Sequence, residues 1–364
     1  MAAESEEMPQ EVALQLFHTG AFLVFKDSLP TGMEFGIDYK SWQVGPKFLG
    51  LKMIPPGLHF VYMSVKNAPR IGFFFNFRPK EVVVRKWDRA AEDLENYTSP
   101  EEEMDRLRAN LQNIDKNLAA YPYSTYNQWV SLSNHVTESS VKRLAPENAL
   151  GKITSQTDLV SKEQELEAQM GDGMGISAVD RNHPSRIRFT DGIGLPVMSA
   201  KPGTSMRFSE VPQVSLADTN LKKAGIDSSD RLYTLLRSLG DNPKELLAEF
   251  QVSFVVFLIG QVYEGFEQWK RLIHLMCSCN RALVTHSQFF LDLLMVIHFQ
   301  LKQCPEDFFH DQLAKDNFLW ATLSLFFANV EDSDGASSEL KSKTSKFKKL
   351  VEKRFNKSFN LPDE

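Results

Sequence analysis

Cysteine is scarce: the 364 residues contain three, Cys277, Cys279 and Cys304, all in one stretch of the C-terminal half. That excludes a disulfide-stapled scaffold and points to a reducing compartment. Structural zinc sites use pairs such as C-x-x-C on turns, whereas Cys277, Cys279, His274, His298 and Cys304 fall in Leu-rich and Met-rich helical sequence. No metal or cofactor is expected. Long apolar runs are also missing, since the strongest, Val252 to Gly260, is far below the roughly 18 residues that span a bilayer. The acidic opening MAAESEEMPQ lacks the basic-then-apolar order of a signal peptide. Excess positive charge is absent too. With 41 Lys and Arg against 47 Asp and Glu, the formal charge of -6 argues against a surface given over to nucleic-acid phosphates. The expectation is a soluble intracellular protein away from any membrane.

Patterns for catalysis are equally thin. Asp38, His59 and Ser64 compose a triad on paper, but no nucleophile elbow or oxyanion loop accompanies them. Gly171, Gly173 and Gly175 mimic a phosphate loop without a preceding strand or a following Lys-Ser or Lys-Thr pair. A lone His in a buried strand is more often a hydrogen-bonded core residue, and the chain does not read as an enzyme.

What is present is an ordinary globular composition, 42% hydrophobic and 24% charged, over a length that accommodates two domains. The fold class read from it is α+β: a β-rich N-terminal domain with flanking helices over 1–148, a long linker over 149–222, and an all-α domain of antiparallel helices over 223–358. In the first domain Glu11 to His18 makes one or two helical turns. Strands are expected at Ala21–Phe25, Phe48–Ile54, Leu58–Val65, Arg70–Phe77 and Glu81–Trp87. Pro55, Pro56 and Gly57 read as the turn of a hairpin joining the second and third of these. In the third, Leu58, Phe60 and Tyr62 share one face and Val61, Met63 and Val65 the other, which predicts burial on both sides. Ser99 and Pro100 read as cap and first residue of a helix whose face is Met104, Leu107, Leu111, Ile114 and Leu118. A short helix over Tyr123 to His135 and one capped by Thr137 come next.

The linker is rich in Gly, Pro and Ser, with two motifs that pair a basic residue with an aromatic: SRIRF at Ser185–Phe189 and SMRFSE at Ser205–Glu210. Beyond it, Ser228 or Ser229 caps a helix to Leu239, and Asn242, Pro243 and Glu245 form a capping box for the next. Gly260 and Gly265 bracket a break before VYEGFEQWKRLIHLM. Helices over Val284–Gln303 and Phe318–Val330 come after it. The run ELKSKTSKFKKLVEKRFNKSF is a basic terminal helix with a thin apolar seam at Leu340, Phe347, Leu350 and Phe355.

The segment EFGIDYKSWQVGPKFLGLKMIPPGLHF, with WVSL at Trp129–Leu132, RFSE at Arg207–Glu210 and VYEGFEQWKRL at Val262–Leu272, resembles the Aar-two splicing-factor family. The resemblance implies a non-catalytic assembly factor of the U-five small nuclear ribonucleoprotein (snRNP). It would act in the cytoplasm and nucleus alongside other U-five snRNP proteins. Its two domains would hold the spliceosomal scaffold Prp-eight at its RNase-H-like and endonuclease-like domains and keep the helicase Brr-two away until maturation. Gly36, Asp38, Trp42, Gly45, Pro46, Lys47, Pro55, Pro56 and Gly57 form the signature, assigned mainly to fold. Arg207, Phe208, Trp269, Lys270 and Phe355 are candidate partner-binding residues, and Ser209 beside Arg207 is a candidate phosphorylation site. The alternative is an RNA-binding module acting through Lys348, Lys349, Lys353 and Arg354.

Overall fold

The computed structural model describes residues 8–66, 68–159, 198–201, 203–212, 227–304, 318–356 and 358–359. The element that organises them is a strand whose two faces are both apolar, Gly57–Ser64. Successive side chains of a strand point to opposite faces, so such a strand needs cover on both. Val61 and Met63 enter the core between two sheets. Phe60 and Tyr62 face the other way, into a core shared with the C-terminal helices.

In chain order the strands are β1 Ala21–Phe25, β2 Glu34–Ile37, β3 Lys40–Gln43, β4 Gly50–Ile54, β5 Gly57–Ser64 and β6 Ile71–Phe77. They continue as β7 Val82–Asp88, β8 Asp93–Glu95, β9 Leu118–Ala120, β10 Ile153–Thr154, β11 Thr157–Leu159 and β12 Met198–Ala200. One sheet runs β8-β7-β1-β4-β9, with β1 parallel to β7 and β4 parallel to β9. The second runs β10-β6-β5-β2-β3 and is antiparallel throughout. Strands β11 and β12 pair separately.

The layering follows from strand alternation. Leu23 points into the core between the sheets, and its neighbour Val24 points outward beneath α2, Glu101–Ile114. That helix covers the outer face with Met104, Leu107, Leu111 and Ile114. On the far side, Phe60, Tyr62 and Phe74 of the second sheet meet Trp129 and Leu132 of α3, Tyr126–Ser133, and Leu144 of α4, Glu138–Leu144. The C-terminal helices complete this core: α5 Ser229–Ser238, α6 Pro243–Leu258, α7 Tyr263–Cys277, α8 Arg281–Thr285, α9 Ser287–Gln303, α10 Phe318–Asp332 and α11 Ser338–Phe355. The first helix, α1, is Gln10–Thr19.

Several expectations change. Pro55, Pro56 and Gly57 do not close a hairpin, because β4 and β5 belong to different sheets and the turn carries the chain from one layer to the next. Ser99 does not cap α2. Pro100 occupies the cap position, its carbonyl accepting the N–H groups of Glu103 and Met104 at 3.0 Å each. Leu118 is not on that helix but in β9, opposite Gly50. Thr137 and Asn242 cap as expected, accepting the N–H groups of Ser140 and Lys244, both at 3.1 Å. At α5 the carboxylate of Asp227, rather than either serine, accepts the Ser229 N–H at 3.1 Å. Gly265 lies inside α7 instead of beside a break: a Cβ there would stand 2.6 Å from the Ser253 carbonyl oxygen of α6, so glycine permits the close approach of the two helices.

Candidate functional site

The sheet domain and the helices meet along a seam crossed by the segment 203–212, part of the stretch read as linker. Its Met206 side chain is buried in the shared core, and Phe208 is half-buried against it. Arg207 closes the C-terminal end of α4. Its backbone N–H donates to the Leu144 carbonyl at 2.9 Å, its Nε to the Ala145 carbonyl at 2.7 Å, and its guanidinium also to the Lys142 carbonyl. A cation over the last carbonyls of a helix suits the negative end of its dipole. Farther along, the Pro212 carbonyl accepts Arg231 Nε of α5 at 2.6 Å.

At the centre of the seam is Glu249 of α6, fully buried. Oε1 accepts the Ser209 N–H at 2.7 Å and Gln268 Nε2 of α7 at 2.9 Å. Oε2 accepts the Ser209 hydroxyl at 2.7 Å and Arg143 Nη1 of α4 at 2.8 Å. Four donors from three segments meet on one carboxylate, which is how a buried charge is made tolerable. Arg143 also reaches Glu245 at 3.4 Å, and Glu245 accepts the Ser140 hydroxyl at 3.1 Å. The capping-box glutamate is thus diverted across the seam. Glu264 of α7 accepts the Met206 N–H at 3.1 Å, and burial raises its pKa against the opposing pull of that bond.

Other bonds lie along the same seam. Trp129 Nε1 donates to the Leu58 carbonyl at 2.8 Å, tying α3 to β5. Arg70 pairs with Glu34 at 2.8 Å, lies over the Tyr62 ring, and donates to the Ile259 carbonyl at the end of α6 at 2.6 Å. Gln251 of α6 accepts the His135 N–H at 2.9 Å and donates to Asn134 at 2.7 Å.

The signature segment divides into buried and exposed parts. Asp38 adopts a left-handed φ of 55°, a region that aspartate tolerates better than most residues. Its carboxylate accepts the Phe60 N–H at 3.0 Å, the Tyr121 hydroxyl at 2.6 Å and lies 2.7 Å from His59 Nδ1. His59 Nε2 faces the Pro55 carbonyl at 2.7 Å, and a carbonyl can only accept, so that nitrogen carries hydrogen. Burial, then the adjacent Asp38 charge, push the Tyr121 pKa up. Ser64 donates instead to the Ala68 carbonyl at 2.6 Å, so the paper triad is not assembled. Gly36 is required because a Cβ would sit 2.2 Å from the Tyr62 ring. Trp42 packs its half-buried ring on Phe35 and Phe48. Gly45, Pro46 and Lys47 are on the turn after the edge strand β3, with Pro46 and Lys47 exposed.

Two of the candidate partner-binding residues are core residues in this structure. Trp269 is 1% exposed, stacked on Phe250, and donates to Gln300 Oε1 at 2.9 Å. Phe355 is 3% exposed on the inner face of α11. In each case an aromatic stands beside a basic residue, a pattern that arises where an amphipathic helix turns from core to solvent. Lys270 pairs with Glu267 at 2.7 Å and lies over the Phe266 ring. Cys277, Cys279 and Cys304 are buried thiols, and burial pushes Cys279 and Cys304 up to about 12. No cluster of metal-ligating side chains occurs among the described residues. The SRIRF motif lies outside them. Sequence reasoning missed Glu249 and Arg143. A glutamate within the apolar run AEFQVSFVVF was the available signal, because a charge on a buried helix face needs a partner.

Fold and seam together define an α+β protein whose β-rich N-terminal domain and helical C-terminal domain share one core. Residues 19–146 match the model of the AAR2 N-terminal domain, and residues 208–360 that of the AAR2 C-terminal repeat region. The chain is 47% identical over 357 residues to the protein AAR2 homolog of Caenorhabditis elegans, covering 97% of this chain and 98% of the relative. It is 37% identical to the human AAR2 homolog, covering 98% and 95%, and 35% identical to that of Mus musculus, covering 99% and 95%. The chain belongs to the AAR2 family, and membership supports a splicing-related role.

Proposed function

We propose that this protein is a non-catalytic assembly factor in U-five snRNP biogenesis that holds the scaffold Prp-eight at its RNase-H-like and endonuclease-like domains and delays association of the Brr-two helicase. It acts with other U-five snRNP proteins and is found in cytoplasm and nucleus. The observation that carries the reading is the family match over nearly the whole chain, both domains included, joined to a core that makes those domains one body. A single body presents a composite surface to a large partner with little ordering cost on binding. The Gly45–Lys47 turn beside edge strand β3 and the exposed Arg207 guanidinium are parts of the signature motifs left on that surface. The acidic net charge lends nothing to the RNA-binding alternative on α11.

Phosphorylation of Ser209 would regulate this body directly. Its hydroxyl lies on the buried Glu249 carboxylate, so a phosphate there sets close to two negative charges against a third and drives the 203–212 segment off the seam. The deciding experiment is co-elution with the isolated RNase-H-like domain, alone and together with the endonuclease-like domain, on a sizing column. A complex that survives purification is expected, weakened by Lys47→Glu and by Ser209→Glu. Failure of the folded protein to co-elute with either preparation would overturn the reading, and an unchanged Ser209→Glu complex would remove the phosphorylation site alone.

A further inference from the structure

The two sheets of the N-terminal domain leave an open edge where β6 and β7, consecutive in the chain, lie in different layers. Strand β10 covers the outer margin of β6 only at Ile71 and Gly72, and β8 covers that of β7 only from Lys86 to Asp88. On the other side of β7, the Phe22 N–H donates to the Glu81 carbonyl at 2.8 Å and the Lys26 N–H to the Arg85 carbonyl at 2.9 Å. Alternate residues of a strand direct their backbone groups to opposite sides, so Val82 and Val84 direct theirs to the bare margin. No backbone group among the described residues meets them there. An arginine stands inside this edge. Val83, Arg85 and Trp87 share the face of β7 that looks into the core between the sheets. The half-buried Arg85 guanidinium lies 5.2 Å from the ring centroids of both Phe73 and Phe75 of β6. Its one hydrogen bond among the described residues runs from Nη1 to the Val84 carbonyl at 2.9 Å, and no carboxylate among them pairs with it. Its Nε, and Trp87 Nε1 two residues on, are buried without a partner. Burial lowers the Arg85 pKa against the weaker pull of Glu81, whose carboxylate accepts the Arg78 N–H at 2.7 Å.

A charge that points inward from a bare edge strand turns away any added strand that would bury it unpaired. A strand that brings a carboxylate converts the obstacle into an ion pair, because residues directly opposite across a ladder stand about 5 Å apart. The two phenylalanine rings hold the guanidinium in place, so its planar fork is ordered before a carboxylate arrives. We infer that the β6–β7 edge is a docking site for an extended acidic segment of a partner protein, which pairs with β7 at Val82 and Val84 and sets a glutamate against Arg85 between the sheets. The segment continues the line of β8, which ends at Glu95 opposite Lys86. In the second sheet β6 and the edge strand β3 lie on opposite sides of β5. The site is therefore distinct from the β3 surface proposed above for Prp-eight and does not rest on that reading.

Fluorescence polarisation of a labelled peptide, alternating valine and threonine with one central glutamate, tests this on the full-length protein. Binding is expected, and should be at least about tenfold weaker for the glutamine counterpart, which loses the charge-assisted bonds. Arg85→Gln should erase that preference, and Arg85→Lys should keep most of it. Val82→Pro removes an outward N–H at the first position of β7, where proline is tolerated, and should weaken both peptides alike. No rise in polarisation with the folded protein up to about 1 mM would overturn the proposal. Equal affinity for the two peptides, a preference that survives Arg85→Gln, or binding indifferent to Val82→Pro would do the same. So would binding that falls away as the protein is concentrated, by assigning the edge to a second copy.

Discussion

Asp38 and Glu249 are both fully buried carboxylates, yet they hold different things together. Asp38 gathers donors from β5 and from Tyr121, all within the N-terminal domain. Glu249 gathers donors from α4, the 203–212 segment and α7, groups that come from both halves of the chain. The chemistry is the same, a desolvated charge made acceptable by several donors. The difference is one of scale: one carboxylate organises a domain, the other fastens two domains with a strap.

The comparison sharpens first at Asp38. Asp38→Ala leaves the Phe60 N–H and the Tyr121 hydroxyl buried without an acceptor, and a loss of about 3–5 kcal/mol in urea unfolding is expected. Glu249→Ala should cost about 2–3 kcal/mol, because Arg143 is partly exposed and can turn to water. Its signature is local: amide exchange at Ser209 should accelerate well before β5 loses protection, whereas Asp38→Ala should expose both together. Ser209→Ala removes one bond of the four, for about 1 kcal/mol.

An effect of similar size lies away from both carboxylates and is set by pH. Burial works against the charged form of Asp227, but bonds from Ser229, Arg281 and the Asn280 N–H outweigh it and bring the carboxyl down to about 2 from 3.8. A folded pKa below the unfolded one adds stability above the unfolded value and loses it as pH falls through the folded one. Asp227→Asn should therefore cost about 1 kcal/mol at neutral pH, after allowance for solvent screening, and almost nothing near pH 2.

Much of this was legible in local patterns. The two apolar faces of β5 announced burial on both sides, and the helical domain is what provides the second cover. Thr137 and Asn242 marked helix starts because capping is decided within four residues. The features that stayed hidden depended on distant segments. A Pro-Pro-Gly turn says that the chain changes direction and not which strand it will pair with, so Pro55–Gly57 read as a hairpin. Glu245 fits a capping box as well as it fits Arg143. Trp269 and Phe355 carried the aromatic character of contact residues, but their helices turn them inward.

The two domains form one body through the shared core. Hydrogen exchange of the full chain in rising urea, followed by mass spectrometry, tests this most directly. Peptides from β5 and from α6 should lose protection at the same urea concentration and with the same dependence on it. If α6 opens while β5 stays protected, the domains are separate folding units and the account is wrong.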